Sequence, residues 1–289
     1  MLRKGSKVGI TACSNGFDVS YEPKIRKLCG ILEEIGLKPV LSQCIYAKDS
    51  VLHGRGEAKA KELMKFFEDP KIEAIFDISG GNLANEVLAT LDYETIKNNP
   101  KPMFGYSDLT TVLNAIYAKT GVKTYLYQIR NLMYSCGEEQ KENFIQSMFY
   151  GTESLFTFPV HWIQGNEMEG VVCGGNIRCL LKLAGTEYFP DVQNKILVLE
   201  ANSGKPDMIV TLFTQLKLMG VFHQIQGILL GTFTELEEMS YEPSVEQLIQ
   251  EIVGDFNLPM VKTKYIGHGV DSKGIRIGSK ITLKKESIK

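Results

Sequence analysis

The sequence lacks the features that mark nucleic-acid-binding, membrane and secreted proteins. Lysine and arginine (32) do not outnumber aspartate and glutamate (34), so a net charge of −2 offers no basic surface to nucleic acid. No apolar run approaches the roughly 20 residues that cross a bilayer. The charged residues that follow Met1 are not succeeded by an apolar stretch of signal-peptide length. We therefore expect a cytoplasmic protein whose partners include neither nucleic acid nor a membrane.

Signatures of common metal, redox and nucleotide sites are also missing. The six cysteines form no Cys-x-x-Cys pair, and His-Glu-x-x-His does not occur. The glycine-rich turn Ser79–Asn82 lacks Gly-x-Gly-x-x-Gly, and Gly-x-x-x-x-Gly-Lys is absent from the chain. Ser-x-x-Lys, which marks another class of serine enzymes, is absent as well. We expect no metal ion, no cofactor, and reduced cysteines that are mainly buried.

What the chain does contain is apolar material for one large or two medium domains, since 44% of its 289 residues are hydrophobic. Through residue 150, strand-like and helix-like segments alternate, which predicts a parallel sheet with helices on both faces. The rhythm changes at Gly151. We expect residues 1–150 to form one domain, 151–166 a linker and 167–289 a second domain, in which Ile275–Leu283 alternates like an outer strand.

The most informative stretch is residues 102–109, where an apolar strand-like run stops at Gly105 and Ser107 follows. An amphipathic helix begins at once, and Asp108 suits its first turn. Ser107 is thus expected on a sharp strand-to-helix turn, the geometry that exposes a nucleophilic hydroxyl in hydrolases. An ordinary helix cap explains the same residues equally well, because Leu109 stands where the hydrolase turn usually has a second glycine.

Three further positions carry candidate chemistry. Gly80 and Gly81 follow a predicted strand, so their amides could hold an oxyanion, although a plain tight turn is the simpler reading. Glu200 ends a run of aliphatic residues, and His268 stands between two glycines. A solvated carboxylate and a solvated loop histidine are the alternatives. Together with Ser107, however, they make the nucleophile, base and orienting carboxylate of a serine hydrolase, placed between the two domains.

Taken in order, the motifs of this chain resemble the LD-carboxypeptidase family of serine peptidases over nearly its whole length. The motifs that carry the resemblance are Ser79–Asn82, Leu91–Tyr93, Asn99–Pro102, Phe104–Asp108, Ala118–Gly121, Gly174–Asn176, Ala184–Thr186, Ile196–Glu200 and Gly267–His268. The resemblance implies a Rossmann-like parallel-sheet N-terminal domain, a smaller β-rich α/β C-terminal domain, and a homodimer.

The resemblance also implies a Ser–Glu–His triad without a metal. By motif position the nucleophile falls on Ser107, the carboxylate on Glu200 and the base on His268. The oxyanion donors fall on the amides of Gly80 (or Gly81) and Asp108.

The implied activity is that of a murein tetrapeptide carboxypeptidase in peptidoglycan recycling, which cuts the bond between an L-configured centre and a terminal D-alanine. A microcin C immunity-type hydrolase of peptidyl-nucleotides is the alternative within the family. A non-catalytic protein that binds small peptides is the alternative of a different class. Arg130 is a candidate for binding the terminal carboxylate, since arginine can do so bidentately, although a surface arginine with no role is the commoner case.

Overall fold

Two six-stranded sheets flanked by helices form the fold in this computed structural model, which describes residues 1–47 and 56–285. The strands of the first sheet are β1 (Lys7–Thr11), β2 (Lys38–Leu41), β3 (Ile72–Asp77), β4 (Met103–Gly105), β5 (Thr124–Leu126) and β11 (Ile275–Ile277). Their spatial order is β11-β5-β4-β3-β1-β2. All neighbours are parallel except β11, which runs antiparallel to β5.

The second sheet has a parallel centre and an antiparallel strand at each edge. Its strands are β6 (His161–Gln164), β7 (Glu167–Asn176), β8 (Lys195–Ala201), β9 (Gly227–Phe233), β10 (Met260–Lys262) and β12 (Lys280–Lys284). Their spatial order is β12-β7-β8-β9-β10-β6, with β12 and β6 as the antiparallel edges. With its helices, this half is an α/β unit rich in strands.

The helices connect successive strands, as parallel pairing requires. Those of the first half are α1 (Glu22–Glu34), α2 (Gly56–Glu68), α3 (Tyr93–Asn98), α4 (Thr110–Thr120) and α5 (Gly137–Tyr150). Those of the second half are α6 (Ile177–Leu181), α7 (Pro206–Leu218), α8 (Thr234–Glu238) and α9 (Val245–Val253). The predicted fold class, a parallel α/β half followed by a strand-rich α/β half, is confirmed. No helix within residues 1–47 and 56–285 is long and apolar enough to cross a bilayer.

Two segments differ from the sequence-based expectations. The alternating tail Ile275–Leu283 is not one outer strand: Gly278 turns the chain at φ +83°, so β11 joins the first sheet and β12 the second. Within the expected linker 151–166, residues 161–164 form β6 and pair with β10, because Trp162 and Ile163 pack against the hydrophobic cores. The boundaries of the two domains, 1–150 and 167–289, stay a prediction.

One hydrophobic core joins the two halves along α4. Its buried residues come from α2, α3 and α4 of the first half and from β7, β8 and β9 of the second. Asn114 of α4 lies in this core with no exposed surface. Its amide nitrogen donates to the carbonyl of Gly174 at 2.9 Å, and its oxygen accepts from the Gly174 amide, also at 2.9 Å. A single buried side chain therefore aligns α4 with β7, near the end of the strand that leads to Asn176.

We predict that Asn114→Ala destabilises the protein by about 2–4 kcal/mol, because it leaves the buried amide and carbonyl of Gly174 without partners. The free energy of unfolding from urea denaturation measures this effect. Asn143→Ala is the matched control, since Asn143 also lies on a helix but makes one exposed bond, to Glu139. The interpretation fails if both variants lose the same stability.

Candidate active site

Chain segments at the carboxyl ends of the parallel strands meet at one site, as expected for an α/β sheet. Gly80 and Gly81 follow β3, and Ser107 follows β4 in the first sheet. In the second sheet, Glu200 is the penultimate residue of β8, and its Cα is paired with that of Asn176 at the end of β7. His268 lies on the segment after β10.

Ser107 adopts a conformation that most residues avoid. Its φ is +55°, in the left-handed region, and it begins a 3-10 turn, Ser107–Leu109, directly before α4. A non-glycine residue held there stores backbone strain, which is a recurring property of nucleophile turns. Leu109 occupies the position where the hydrolase turn usually has its second glycine. Its side chain packs against Gly105, where an added Cβ would lie only 2.7 Å from the Cβ of Leu109.

Glu200 and His268 lie next to each other. Nδ1 of His268 is 2.8 Å from Oε2 of Glu200, and the carboxylate has no exposed surface. The two atoms are within contact distance, although the ring N–H is not aligned for a hydrogen bond. Apo enzymes often show such misalignment, which improves when substrate binds. With Nδ1 facing the carboxylate, Nε2 is the ring nitrogen left to face a substrate or a nucleophile.

Contacts on two sides hold the segment that bears His268. On one side it follows β9, because the amide of Thr232 donates to the carbonyl of Ile266 at 2.7 Å. Gly267 permits this approach at φ +149°, since a Cβ there would collide with the hydroxyl of Thr232. On the other side Asn131 of the first half donates to Ser272 at 3.0 Å. His268 therefore lies on a segment that contacts both halves of the chain.

Tyr106 links this histidine to the serine turn. The Tyr106 ring meets the His268 ring edge-on, with centroids 4.5 Å apart. Burial, and to a lesser extent the charge of Glu200, raises the pKa of Tyr106 well above its ordinary value, so the phenol stays neutral. Buried polar atoms without an aligned hydrogen-bond partner concentrate here in the described part of the chain, on Tyr106, Arg130, Glu200 and His268. Such a concentration is typical of functional sites.

Asp108, the neighbour of Ser107, is a buried carboxylate with partners from several parts of the chain. Its Oδ2 accepts from the hydroxyl of Ser14 at 2.6 Å and from the amide of Ala84 at 2.9 Å, and its Oδ1 pairs with the ammonium of Lys182. Burial alone would raise the pKa of Asp108, but these three donors hold that pKa below its ordinary value. The carboxylate is therefore ionised at neutral pH.

The glycine turn after β3 is fixed from both halves of the chain. Asn15 accepts from the Asn82 amide at 3.0 Å, and a Cβ at Gly81 would collide with the Asn15 side chain. From the second half, Arg178 donates to the side chain of Asn82 and to the carbonyl of Gly81, the latter at 3.2 Å. Lys182 donates to the carbonyl of Asn82 at 2.8 Å.

A cavity of about 420 Å³ opens at this turn, within the range of roughly 300–1,000 Å³ that is typical of small-ligand sites. Its lining comes from both halves and consists of Gly81, Asn82, Ser107, Asn176, Arg178, Asn202 and Ser203. Ser107 and one of the two candidate oxyanion glycines therefore border one space.

The remaining candidate, Arg130, lies near Tyr106 and outside the lining of this cavity, as Glu200 and His268 do. Arg130 donates to Gln128 at 2.7 Å, and its guanidinium lies 5.5 Å from the centre of the Phe17 ring. Its role stays a prediction. Sequence reasoning missed Arg178 and Lys182. The available signal was their four-residue spacing after Gly174–Asn176, because this spacing places two cations on one side of a short helix.

Cys173 is a buried thiol in the core of the second half. Burial raises the pKa of Cys173 to about 12, so this thiol stays protonated. Among residues 1–47 and 56–285, no group of three or more histidine, cysteine, aspartate and glutamate side chains is placed to hold a metal ion.

Comparison with known proteins relates the chain to one family across both halves. The family model described as LD-carboxypeptidase N-terminal domain matches residues 8–127, and that of the LD-carboxypeptidase C-terminal domain matches residues 169–283.

Individual relatives match over nearly their full lengths. The probable murein peptide carboxypeptidase of Bacillus subtilis (strain 168) is 27% identical, over 98% of this chain and 90% of the relative. The Microcin C7 self-immunity protein MccF of Escherichia coli is 26% identical, over 98% and 91% respectively. A solved structure of MccF with aspartyl sulfamoyl adenosine superposes with a TM-score of 0.88, at 24% identity, over 98% of this chain and 94% of that one.

The depressed pKa of Asp108 leads to a prediction about stability and pH. A carboxylate whose folded-state pKa lies below its unfolded value of about 3.9 stabilises the fold above that pH, and the contribution disappears as the pH falls through the folded-state pKa. We predict that Asp108→Asn lowers the free energy of unfolding at pH 7 by on the order of 3 kcal/mol. The deficit relative to the unaltered protein should shrink in acid, at about pH 3.

Urea denaturation of both proteins at the two pH values measures this difference. Glu187→Gln is the control, because it removes the 66% exposed partner of Lys119 from another ion pair between the two halves and should cost less than about 1 kcal/mol. An Asp108→Asn deficit of equal size at both pH values would show that the charge is not what stabilises the fold.

Proposed function

The chain belongs to the LD-carboxypeptidase family of serine peptidases, and on this premise we propose that it is a serine carboxypeptidase that uses Ser107, Glu200 and His268 as a triad. The observation that carries the proposal is the pairing of His268 with the fully buried Glu200 at 2.8 Å, next to the residue that precedes Ser107. An imidazole needs such a partner to keep one tautomer and to stabilise its protonated form.

In the proposed reaction, Nε2 of His268 takes the proton of the Ser107 hydroxyl while the serine oxygen attacks the scissile carbonyl carbon. The protonated His268 then gives that proton to the nitrogen of the leaving amino acid as the carbon–nitrogen bond breaks. Water, deprotonated by His268, attacks the resulting ester, and the serine regains its proton. Glu200 faces Nδ1 of His268 throughout.

The developing oxyanion is proposed to bind the backbone amides of Asp108 and of Gly80 or Gly81. Two features support this assignment. Gly81 lines the same cavity as Ser107, and Arg178 and Lys182 hold the carbonyls of Gly81 and Asn82 in place. A donor fixed before the reaction needs no reorganisation during it, and each is worth about 3–4 kcal/mol.

We propose a murein tetrapeptide as the substrate, cut between the L-configured centre of its third residue and the terminal D-alanine. Support comes from the relative named as a probable murein peptide carboxypeptidase and from the polar cavity of about 420 Å³ that Ser107 borders. Hydrolysis of a peptidyl-nucleotide is the second candidate, favoured by the likeness to MccF, whose structure holds an aspartyl sulfamoyl adenosine. The cytoplasmic location, the part in peptidoglycan recycling and the homodimer stay predictions.

We predict that Ser107→Ala abolishes turnover, by up to about a million-fold, while the melting temperature changes little. Alanine removes only the hydroxyl and can keep the turn, although it must adopt the same positive φ as Ser107. Mass spectrometry of released D-alanine measures turnover, and circular dichroism measures the melting temperature. Ser135→Ala, at an exposed serine outside the cavity lining, serves as the control with normal turnover.

The double variant Ser107→Ala with His268→Ala should be no slower than Ser107→Ala alone, because triad members act as a unit. Turnover near the normal rate in Ser107→Ala would refute the serine mechanism. An unaltered protein that binds the tetrapeptide without cleaving it would support the non-catalytic alternative.

We predict D-alanine release from murein tetrapeptide, little or none from the pentapeptide, and none from an all-L tetrapeptide of the same sequence. The reason is that the expected scissile bond joins an L-configured centre to one terminal D-residue. The pentapeptide has a further residue after that D-residue, and the all-L peptide has no D-residue. Liquid chromatography of the three digests decides the matter. Equal cleavage of the all-L peptide would contradict the LD assignment, and preferential cleavage of a peptidyl-adenylate analogue would favour the immunity-type function.

A further inference from the structure

Arg178 is the charged member of the cavity that contains Ser107. Among the described residues that line this space, every other side chain is a neutral amide, a hydroxyl or the hydrogen of glycine. Among the described residues, the lining therefore carries one positive charge and no negative one, which favours an anionic ligand.

The guanidinium of Arg178 is oriented by the protein and keeps donors in reserve. One nitrogen donates to the side chain of Asn82 and another to the carbonyl of Gly81. Arginine has five N–H donors, so these two bonds with described residues leave three for a ligand. Both acceptors are neutral, and no carboxylate in the described part of the chain forms an ion pair with this guanidinium.

The chemistry of a carboxypeptidase puts an anion at a fixed place relative to the nucleophile. The terminal carboxylate lies only three covalent bonds from the carbonyl carbon that Ser107 attacks. A cation that recognises this carboxylate must consequently border the same cavity as the nucleophile, and charge-assisted hydrogen bonds from arginine are the strongest available. Arg178 meets this condition, whereas Arg130 lies near Tyr106, outside the lining of this cavity, and is the competing candidate.

We propose that Arg178 binds the terminal carboxylate of the substrate and thereby restricts the enzyme to the last peptide bond; this inference rests on the proposed function. Its two bonds to the glycine turn give Arg178 a second effect. The same guanidinium that receives the leaving amino acid holds the carbonyl of Gly81, so carboxylate binding and the geometry of the oxyanion donors are coupled.

The test compares binding of two peptides that differ only in charge at the end. Isothermal titration calorimetry is performed on Ser107→Ala protein with murein tetrapeptide as the free acid and as its terminal amide, so that no turnover intervenes. We expect the acid to bind about 100-fold more tightly than the amide, as charged hydrogen bonds allow. Adding Arg178→Gln should bring this ratio close to one, while Arg178→Lys should keep part of it.

The ratio of acid to amide affinity separates charge recognition from general damage to the site, which would weaken both peptides alike. Arg26→Gln, at a 78% exposed arginine of α1 paired with Glu22, is the matched control and should leave the ratio unchanged. Arg130→Gln is the competing arm and should also retain the ratio.

Three results would overturn the inference: a ratio near one in the Ser107→Ala parent, an undiminished ratio in Arg178→Gln, or a ratio lost in Arg130→Gln instead. Absence of detectable binding by either peptide at millimolar concentration counts against it too. Failure of the proposed function is a separate result, namely no release of D-alanine by the protein with Ser107 intact.

Discussion

The buried charge of Asp108 is the constraint on which the rest of the site depends. A carboxylate removed from water is costly unless hydrogen bonds and an opposite charge surround it. Here the required partners are Ser14 on the segment after β1, Ala84 beyond the glycine turn and Lys182 after α6. All must be in place together, so satisfying one carboxylate assembles the serine turn, the glycine turn and the second half of the chain in a single arrangement.

That arrangement explains how the positive φ of Ser107 is tolerated. A strained residue persists only where its surroundings leave it no alternative. Asp108, which follows Ser107, is anchored by its hydrogen-bond partners. Tyr106, which precedes Ser107, is buried against His268. The strain is thus offset by contacts of its two neighbours, and Ser107 is held in the lining of the cavity.

The site draws on both sheets, and the chain crosses between them more than once. After β10 the segment with His268 leaves the second sheet and continues into β11, which pairs with β5 of the first. Asn114 and the cations Arg178 and Lys182 join the halves from the other direction. Relative movement of the halves would separate the proposed nucleophile, base and oxyanion donors at once, so the proposed mechanism requires the two sheets to keep a fixed arrangement.

Periodicity and local turn signals in the sequence were enough to predict the parallel α/β class, because strands, helices and glycine turns depend on neighbouring residues. The motifs were enough to predict the family and to single out Ser107, Glu200 and His268, since few residue types can perform such chemistry. The split of Ile275–Leu283 between two sheets was not predictable, because alternation is the same whichever sheet a strand joins. The partners of Asp108 and the place of Arg178 in the cavity were not predictable either. A cation on a helix surface normally faces water, and only the tertiary structure decides which surface becomes the wall of a site.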